Sequence, residues 1–253
     1  MKRLVSLILA ATTVIAAGGV QAAPAGAIKN VVLVHGSFAD GSGWRGVADI
    51  LEKDGYHVSI AQPPETSLND DVTAVKRLLA MQDGPVVLVG HSYGGVIVTQ
   101  SGSDPKVAAL VYVAAMLPDE GEAAGQLLQK IPAASKAVTP SADGFLYLDP
   151  THFHADFAAD LPAAQAHFMA MSQVLTNSSA FGQPITNPAW KTKPSWAIVA
   201  TEDRAINPEL ERFMYKRANA QVTEIKASHA VYISRPKEVA AVIEKAAAGA
   251  QAN

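Results

Sequence analysis

Val86-Val87-Leu88-Val89-Gly90-His91-Ser92-Tyr93-Gly94-Gly95 is the stretch on which the reading of the whole chain turns. Four consecutive apolar residues are the mark of a strand buried on both faces. Gly90-His91-Ser92-Tyr93-Gly94 fits G-x-S-x-G, and Gly95 with the apolar run Val96-Ile97-Val98 opens a helix. Strand, sharp turn and helix in this order are the setting in which the motif carries chemistry. A serine at the tip of such a turn has a strained backbone, so its neighbours two positions away must be nearly free of side chain. Its hydroxyl then stands above the sheet, and the helix N-terminus favours negative charge developing there. The plainer reading is a glycine-rich turn with an incidental serine. Partners elsewhere in the chain separate the two.

Outward from this stretch, strand and helix patterns alternate. Asn30-Val31-Val32-Leu33-Val34 is a second buried strand, followed by the loop His35-Gly36-Ser37-Phe38 and the glycine-rich Ala39 to Trp44. Val47, Ile50 and Leu51 give a helical stripe that stops near Asp54-Gly55, and His57 to Ala61 is the next strand. Leu68 to Met81 reads as a helix with Val72, Val75, Leu78 and Leu79 on one face. Lys106 to Met116, Ser195 to Ala200 and Gln221 to Lys226 complete the strands. Helices follow from about Pro208 and from Ser234-Arg235-Pro236 to about Ala248. Strands alternating with helices predict a mostly parallel sheet of about six strands, covered by helices on both faces. The alternation is interrupted between Asp119 and about Lys193. That length is too great for a simple connection, so 119–193 is expected to be an inserted helical cap on a core formed by 23–118 and 194–253.

Ser92 needs a base to take its proton, and the base needs an acid to orient it. Both should lie at carboxyl ends of later strands, which share one rim of the sheet. His229 follows the Gln221 strand, and Asp203 follows the Ser195 strand, in the order serine, acid, histidine. Glu202 and Asp119 are the rival acids. Acyl transfer also needs donors aimed at the developing oxyanion. The N–H of Tyr93 is one candidate and that of Ser37 the other; the Ser37 hydroxyl either reaches the same place or bonds locally. Phe38, His91, Phe153 and Met169 are the candidate substrate-binding residues, although His91, at the variable position of the turn, is expected to face away from the reacting group. Phe145, Tyr147, Phe157, Phe168 and Met171 suit a cap whose apolar face covers the pocket, or simply the cap's own core. His152, His154, Asp156 and His167 do not make up a metal-ligand set by spacing, and neither metal nor cofactor is expected.

The chain has 253 residues, 49% hydrophobic and 17% charged, which suits one sizeable globular core. A net charge of −3 gives no footprint for nucleic acid. Lys2 and Arg3, the apolar run Leu4 to Ala17 and the small residues Val20-Gln21-Ala22 have the layout of a signal peptide over residues 1–22. Its removal would bring the charge to about −5 and leave no membrane anchor. A periplasmic or secreted location follows, and the absence of cysteine is compatible with it in a domain this large.

Taken together, Leu33-Val34-His35-Gly36, Gly90 to Gly95, Glu202-Asp203-Arg204 and Ser228-His229 resemble the α/β-hydrolase family over almost all of the mature length. The loop His35 to Trp44 and the cap placement look closest to the plant methyl-ester esterases, the hydroxynitrile lyases and small bacterial esterases. The lyases carry a lysine directly after the catalytic histidine, where this chain has Ala230, which argues against cyanohydrin cleavage. Two strands that often precede Leu33 in the family are missing, so the resemblance implies six strands instead of eight. It implies hydrolysis of a small-to-medium apolar carboxylic ester through an acyl-enzyme, by a monomer or homodimer. The alternatives are a cofactor-free lyase or perhydrolase on the same fold, and a ligand-binding module with a slow triad.

Overall fold

The computed structural model of the protein describes residues 28–250; the segment read as a signal peptide lies outside them. The first half runs β1 (Asn30–Val34), α1 (Arg45–Lys53), β2 (His57–Ala61), α2 (Leu68–Met81), β3 (Val86–His91), α3 (Gly94–Ser101) and β4 (Val107–Val113). The middle holds α4 (Ala124–Lys130), β5 (Val138–Pro140), β6 (Phe145–Leu148), α5 (Pro150–Phe157), α6 (Ala163–Ser172), β7 (Thr176–Asn177) and α7 (Ser178–Gly182). The chain then closes with β8 (Ser195–Ala200), α8 (Pro208–Arg217), β9 (Gln221–Ile225), α9 (Val231–Ser234) and α10 (Pro236–Gly249).

Six strands form one sheet in the order β2-β1-β3-β4-β8-β9, and every neighbouring pair is parallel. The expected fold class is therefore met. The apolar runs of β1 and β3 divide between two cores because side chains alternate along a strand. Val32, Val34 and Leu88 join Val72, Val75 and Leu79 of α2, Ile97 of α3 and Leu210 of α8 on one face. Val31, Leu33, Val87 and Val89 join Val47 and Leu51 of α1 and Val239, Val242 and Ile243 of α10 on the other. Strands buried on both sides leave only their ends open. The carboxyl ends of β1, β3, β8 and β9 carry the residues singled out above.

Residues 119–193 hold more than the helices expected there. A three-stranded antiparallel sheet, β5-β6-β7, lies among them. Its strands have 3, 4 and 2 residues, too few to show a period in the sequence. Phe153 and Phe157 stack at 4.9 Å and form the cap's core with Leu148 and Ala166. Phe168 and Met171, read as covering the pocket or as the cap's own core, are 63% and 65% exposed.

Candidate active site

The turn after β3 has the strained geometry its sequence demands. Ser92 sits at φ 55°, in the left-handed region that residues other than glycine rarely occupy. A side chain at Gly90 would come within 2.5 Å of Gly94 O, and one at Gly94 within 2.6 Å of His35 O. The Ser92 carbonyl accepts from the N–H groups of Gly95 and Met116, each at 3.0 Å, tying the turn to the end of β4.

Three side chains from three strand ends meet in line. His229 Nε2 lies 2.8 Å from Ser92 Oγ, and His229 Nδ1 lies 2.5 Å from Asp203 Oδ2. With Nδ1–H donating to the carboxylate, Nε2 is left to accept the serine hydroxyl. The second oxygen of Asp203 accepts the N–H groups of Ala205 at 2.7 Å and Ile206 at 2.9 Å, which fixes the carboxylate plane. The His229 ring is buried, with the Phe157 ring nearly perpendicular to it at 4.7 Å between centroids. Neither rival acid touches it. Glu202 is an exposed residue paired with Lys226, and Asp119 bonds Lys191 at 2.7 Å.

The loop after β1 lies directly against this turn, since a side chain at Gly36 would come within 2.6 Å of both His91 O and Ser92 Cβ. Among the described residues, the N–H groups of Ser37 and Tyr93 have no acceptor. The Ser37 hydroxyl is buried and likewise unpartnered. These donors border a cavity of about 380 Å³ that opens on Ser92 and His229, with Leu128, Leu146, Leu148, Phe181 and Ile206 as its apolar wall.

Of the four candidate pocket residues, Phe38 lines this cavity and the other three do not. His91 is fully buried beneath the site, where its Nε2 lies 3.0 Å from His229 O; burial and the neighbouring His229 hold it well below the usual imidazole range. Phe153 packs behind Phe157, one helical turn further along α5, and Phe157 is the ring that reaches the pocket. Met169 borders a separate cavity of about 370 Å³ beside α1, with Phe38 shared between the two. Of the cap's metal-like residues, His154 Nε2 lies 3.0 Å from Leu161 O and Asp156 pairs with Arg204 at 2.8 Å.

One group of side chains beside the site escaped the sequence reading. Tyr93 Oη donates to Asp71 Oδ2 at 2.9 Å, and the N–H of Glu65 donates to Asp71 Oδ1 at 2.6 Å. The Thr176 hydroxyl donates to Glu65, and His35 Nδ1 lies 3.4 Å from the other Glu65 oxygen. The network joins the loop after β1, the turn at Ser92 and strand β7 of the cap. Asp71 was visible only as a polar residue on the apolar stripe of α2. Burial pushes its carboxyl up to about 6, against the pull of its bonds to Tyr93 and Glu65. A carboxyl raised in the folded state gives stability that is complete below its unfolded value and lost as pH rises through the folded one. Asp71→Asn, which carries no charge, should therefore melt at progressively higher temperature relative to wild type between about pH 4 and about pH 6, with the difference levelling off above about pH 7. A difference that stays flat across that window would refute the assignment.

The sequence profile of the Alpha/beta hydrolase family matches residues 31–242. The carbendazim hydrolyzing esterase of Nocardioides sp. (strain SG-4G) is 26% identical over 240 residues, covering 84% of this chain and 97% of the relative. Methylesterase 7 of Arabidopsis thaliana is 27% identical over 249 residues, covering 85% and 95%, in keeping with the resemblance to the plant methyl-ester esterases. Among solved structures, a pyrethroid hydrolase from Sphingobium faniae JZ-2 superposes with a TM-score of 0.74 at 24% identity, over 87% of this chain and 97% of that one.

Proposed function

The chain belongs to the Alpha/beta hydrolase family, and on that premise we propose that it hydrolyses small-to-medium apolar carboxylic esters through an acyl-enzyme on Ser92. The observation that carries this reading is the hydrogen-bonded line Ser92, His229, Asp203 at the floor of an apolar cavity. His229 takes the hydroxyl proton as Ser92 attacks the ester carbonyl, then returns it to the departing alkoxide. Asp203 keeps the imidazole in the required tautomer and stabilises the imidazolium. The N–H groups of Tyr93 and Ser37, free of internal acceptors, receive the developing oxyanion, and the buried Ser37 hydroxyl adds a third donor. Water then enters the same position, and His229 serves again as base.

The cavity of about 380 Å³ suits a small-to-medium ester, and its wall is apolar save for Gln129, Ser135 and Lys136 towards the rim. Two of the relatives bear esterase names, which agrees with this substrate class. The enzyme acts without metal or cofactor, as a monomer or homodimer, in the periplasm or outside the cell after removal of residues 1–22. Asp203 is its acid, since the rivals Glu202 and Asp119 are engaged elsewhere.

One experiment tests the reading. The protein is expressed from its full sequence, recovered from the periplasmic or culture fraction, and given p-nitrophenyl butyrate in a stopped-flow instrument. The expected result is a mature N-terminus at Ala23 and a burst of one nitrophenolate per active site, with the butyryl group on the Ser92 peptide in quenched samples. Retention of residues 1–22 in the cytoplasmic fraction overturns the location. Absence of turnover, or an acyl group on another residue, overturns the mechanism.

A further inference from the structure

Beside Asp203 stands a second carboxyl group that the mechanism does not use. Glu211 belongs to the first turns of α8 and is fully buried, an unusual place for a carboxylate. Its Oε2 accepts the N–H of Ala200, the last residue of β8, at 3.2 Å. Its Oε1 has no donor to accept from. Ala200 in turn accepts the N–H of Asp203 at 3.1 Å, so one residue ties Glu211 to the turn that carries Asp203 and sets the two buried carboxyl groups side by side. Two carboxylates in contact cannot both be ionised, and a bond between them requires one proton.

The number of donors decides which group holds that proton. Asp203 receives three N–H groups, from Ala205 at 2.7 Å, Ile206 at 2.9 Å and His229 Nδ1 at 2.5 Å. Glu211 receives one, at 3.2 Å. Hydrogen bonds to a carboxylate stabilise its charged form, so the charge settles on Asp203 and the proton on Glu211. The neighbouring cation offsets this only in small part. The adjacent Arg212 is turned outward to Glu224 at 2.7 Å and Glu209 at 2.5 Å. Tyr215, also on α8, is itself held neutral: burial pushes its phenol well up, and its Oη bonds the backbone of Ala115.

We infer that Glu211 is a positioning residue: a neutral carboxylic acid whose Oε1–H donates to the Asp203 carboxylate, so that the pair holds one negative charge and presents it to His229. Burial, and then the Asp203 charge, push the Glu211 carboxyl well above the ordinary range, which agrees with this state. The acid completes the shell of donors around Asp203. It also draws off part of the carboxylate's charge, which keeps the His229 proton on Nδ1. The proton between Glu211 and Asp203 stays on Glu211 throughout the reaction.

The inference rests on the reading of Ser92, His229 and Asp203 as a hydrolytic triad, and its test keeps the two apart. Glu211→Gln retains the shape and donates an N–H in place of the O–H, whereas Glu211→Leu removes the donor. Rates are expressed per active site counted with a fluorophosphonate, so that unfolded protein drops out. Glu211→Gln should keep kcat/KM on p-nitrophenyl butyrate within about threefold, with the acid limb of its pH profile unmoved. Glu211→Leu should lose about 10- to 100-fold in kcat with KM nearly unchanged. Its acid limb should move up, because an Asp203 charge left undiluted favours the imidazolium. Two results overturn the inference. If Glu211→Gln falls as far as Glu211→Leu, the group acts as a charge and not as a donor. If Glu211→Leu keeps both its rate and its acid limb, Glu211 positions nothing. A wild type inert to the ester would instead count against the hydrolytic reading. The pH dependence of fluorophosphonate labelling of the three proteins would then decide the Glu211 question, and failure of the wild type to label would overturn both.

Discussion

Ser92→Ala is expected to lower kcat for ester hydrolysis by about 10⁶-fold while its thermal melt stays close to that of wild type. The substitution leaves the backbone at φ 55° as it was and removes one hydroxyl whose hydrogen bond is to His229. Alanine tolerates that conformation no better and no worse than serine, so the strain cancels in the comparison. His229→Ala should cost about as much, because an unactivated serine hydroxyl is a poor nucleophile at neutral pH. The double variant is the sharper measurement. Groups that act in one step are not additive, so Ser92→Ala with His229→Ala should be no slower than either alone. Turnover that survives in Ser92→Ala, or losses that multiply in the double variant, would remove Ser92 from the chemistry.

The largest effect on stability is expected at Gly95. A methyl group there would stand 2.2 Å from Met116 O and 2.9 Å from Ala115 Cβ. Neither can retreat. Met116 donates its N–H to Ser92 O at 3.0 Å, and Ala115 exchanges hydrogen bonds with Tyr215 Oη, at 2.8 Å from its N–H and 2.9 Å to its carbonyl. Relief must come from moving the start of α3 away from the end of β4, which also carries Ser92 out of line with His229. Gly95→Ala should therefore cost about 3 kcal/mol or more of folding stability, measured by urea denaturation. Gly182→Ala is the control, since a side chain there meets nothing within 4 Å, and it should lie within about 0.5 kcal/mol of wild type. Equal effects at the two positions would refute the collision argument.

The four central strands were legible because they are buried on both faces and so appear as mostly apolar runs, while the edge strands β2 and β9, half exposed, were legible from the alternation with helices. The six strands fall where Asn30–Val34, Val86–Val89 and their counterparts place them. Ser92 and Asp203 could be read because each follows such a run within a few residues, and His229 because it follows the last strand of the alternation; a shared rim brings the three together. Residues contributed by helices and by the cap were much less legible. Asp71 and Glu211 occupy inward faces of α2 and α8 beside Val72 and Leu210, and a single polar residue on an apolar stripe does not reveal its partner. Phe153, Phe157 and Phe168 fall at similar spacing, yet one is core, one reaches the pocket and one faces solvent. Which ring does which depends on the angle at which α5 and α6 cross the sheet, and periodicity holds nothing about that angle.

Strands β4 and β8 are direct neighbours, paired from Leu110 with Ser195 to Val113 with Ile198, although the whole cap lies between them in the chain. The insertion thus leaves and re-enters the scaffold at one spot, like a tool held in a single socket. Exchange of that segment for another of different length would leave the hydrogen bonds of the sheet as they are, and would ask for new partners at Arg204, Ser228 and Ala230, which now bond Asp156, Asp160 and Phe157. A substitute cap could then change which ester is admitted while the scaffold beneath is kept.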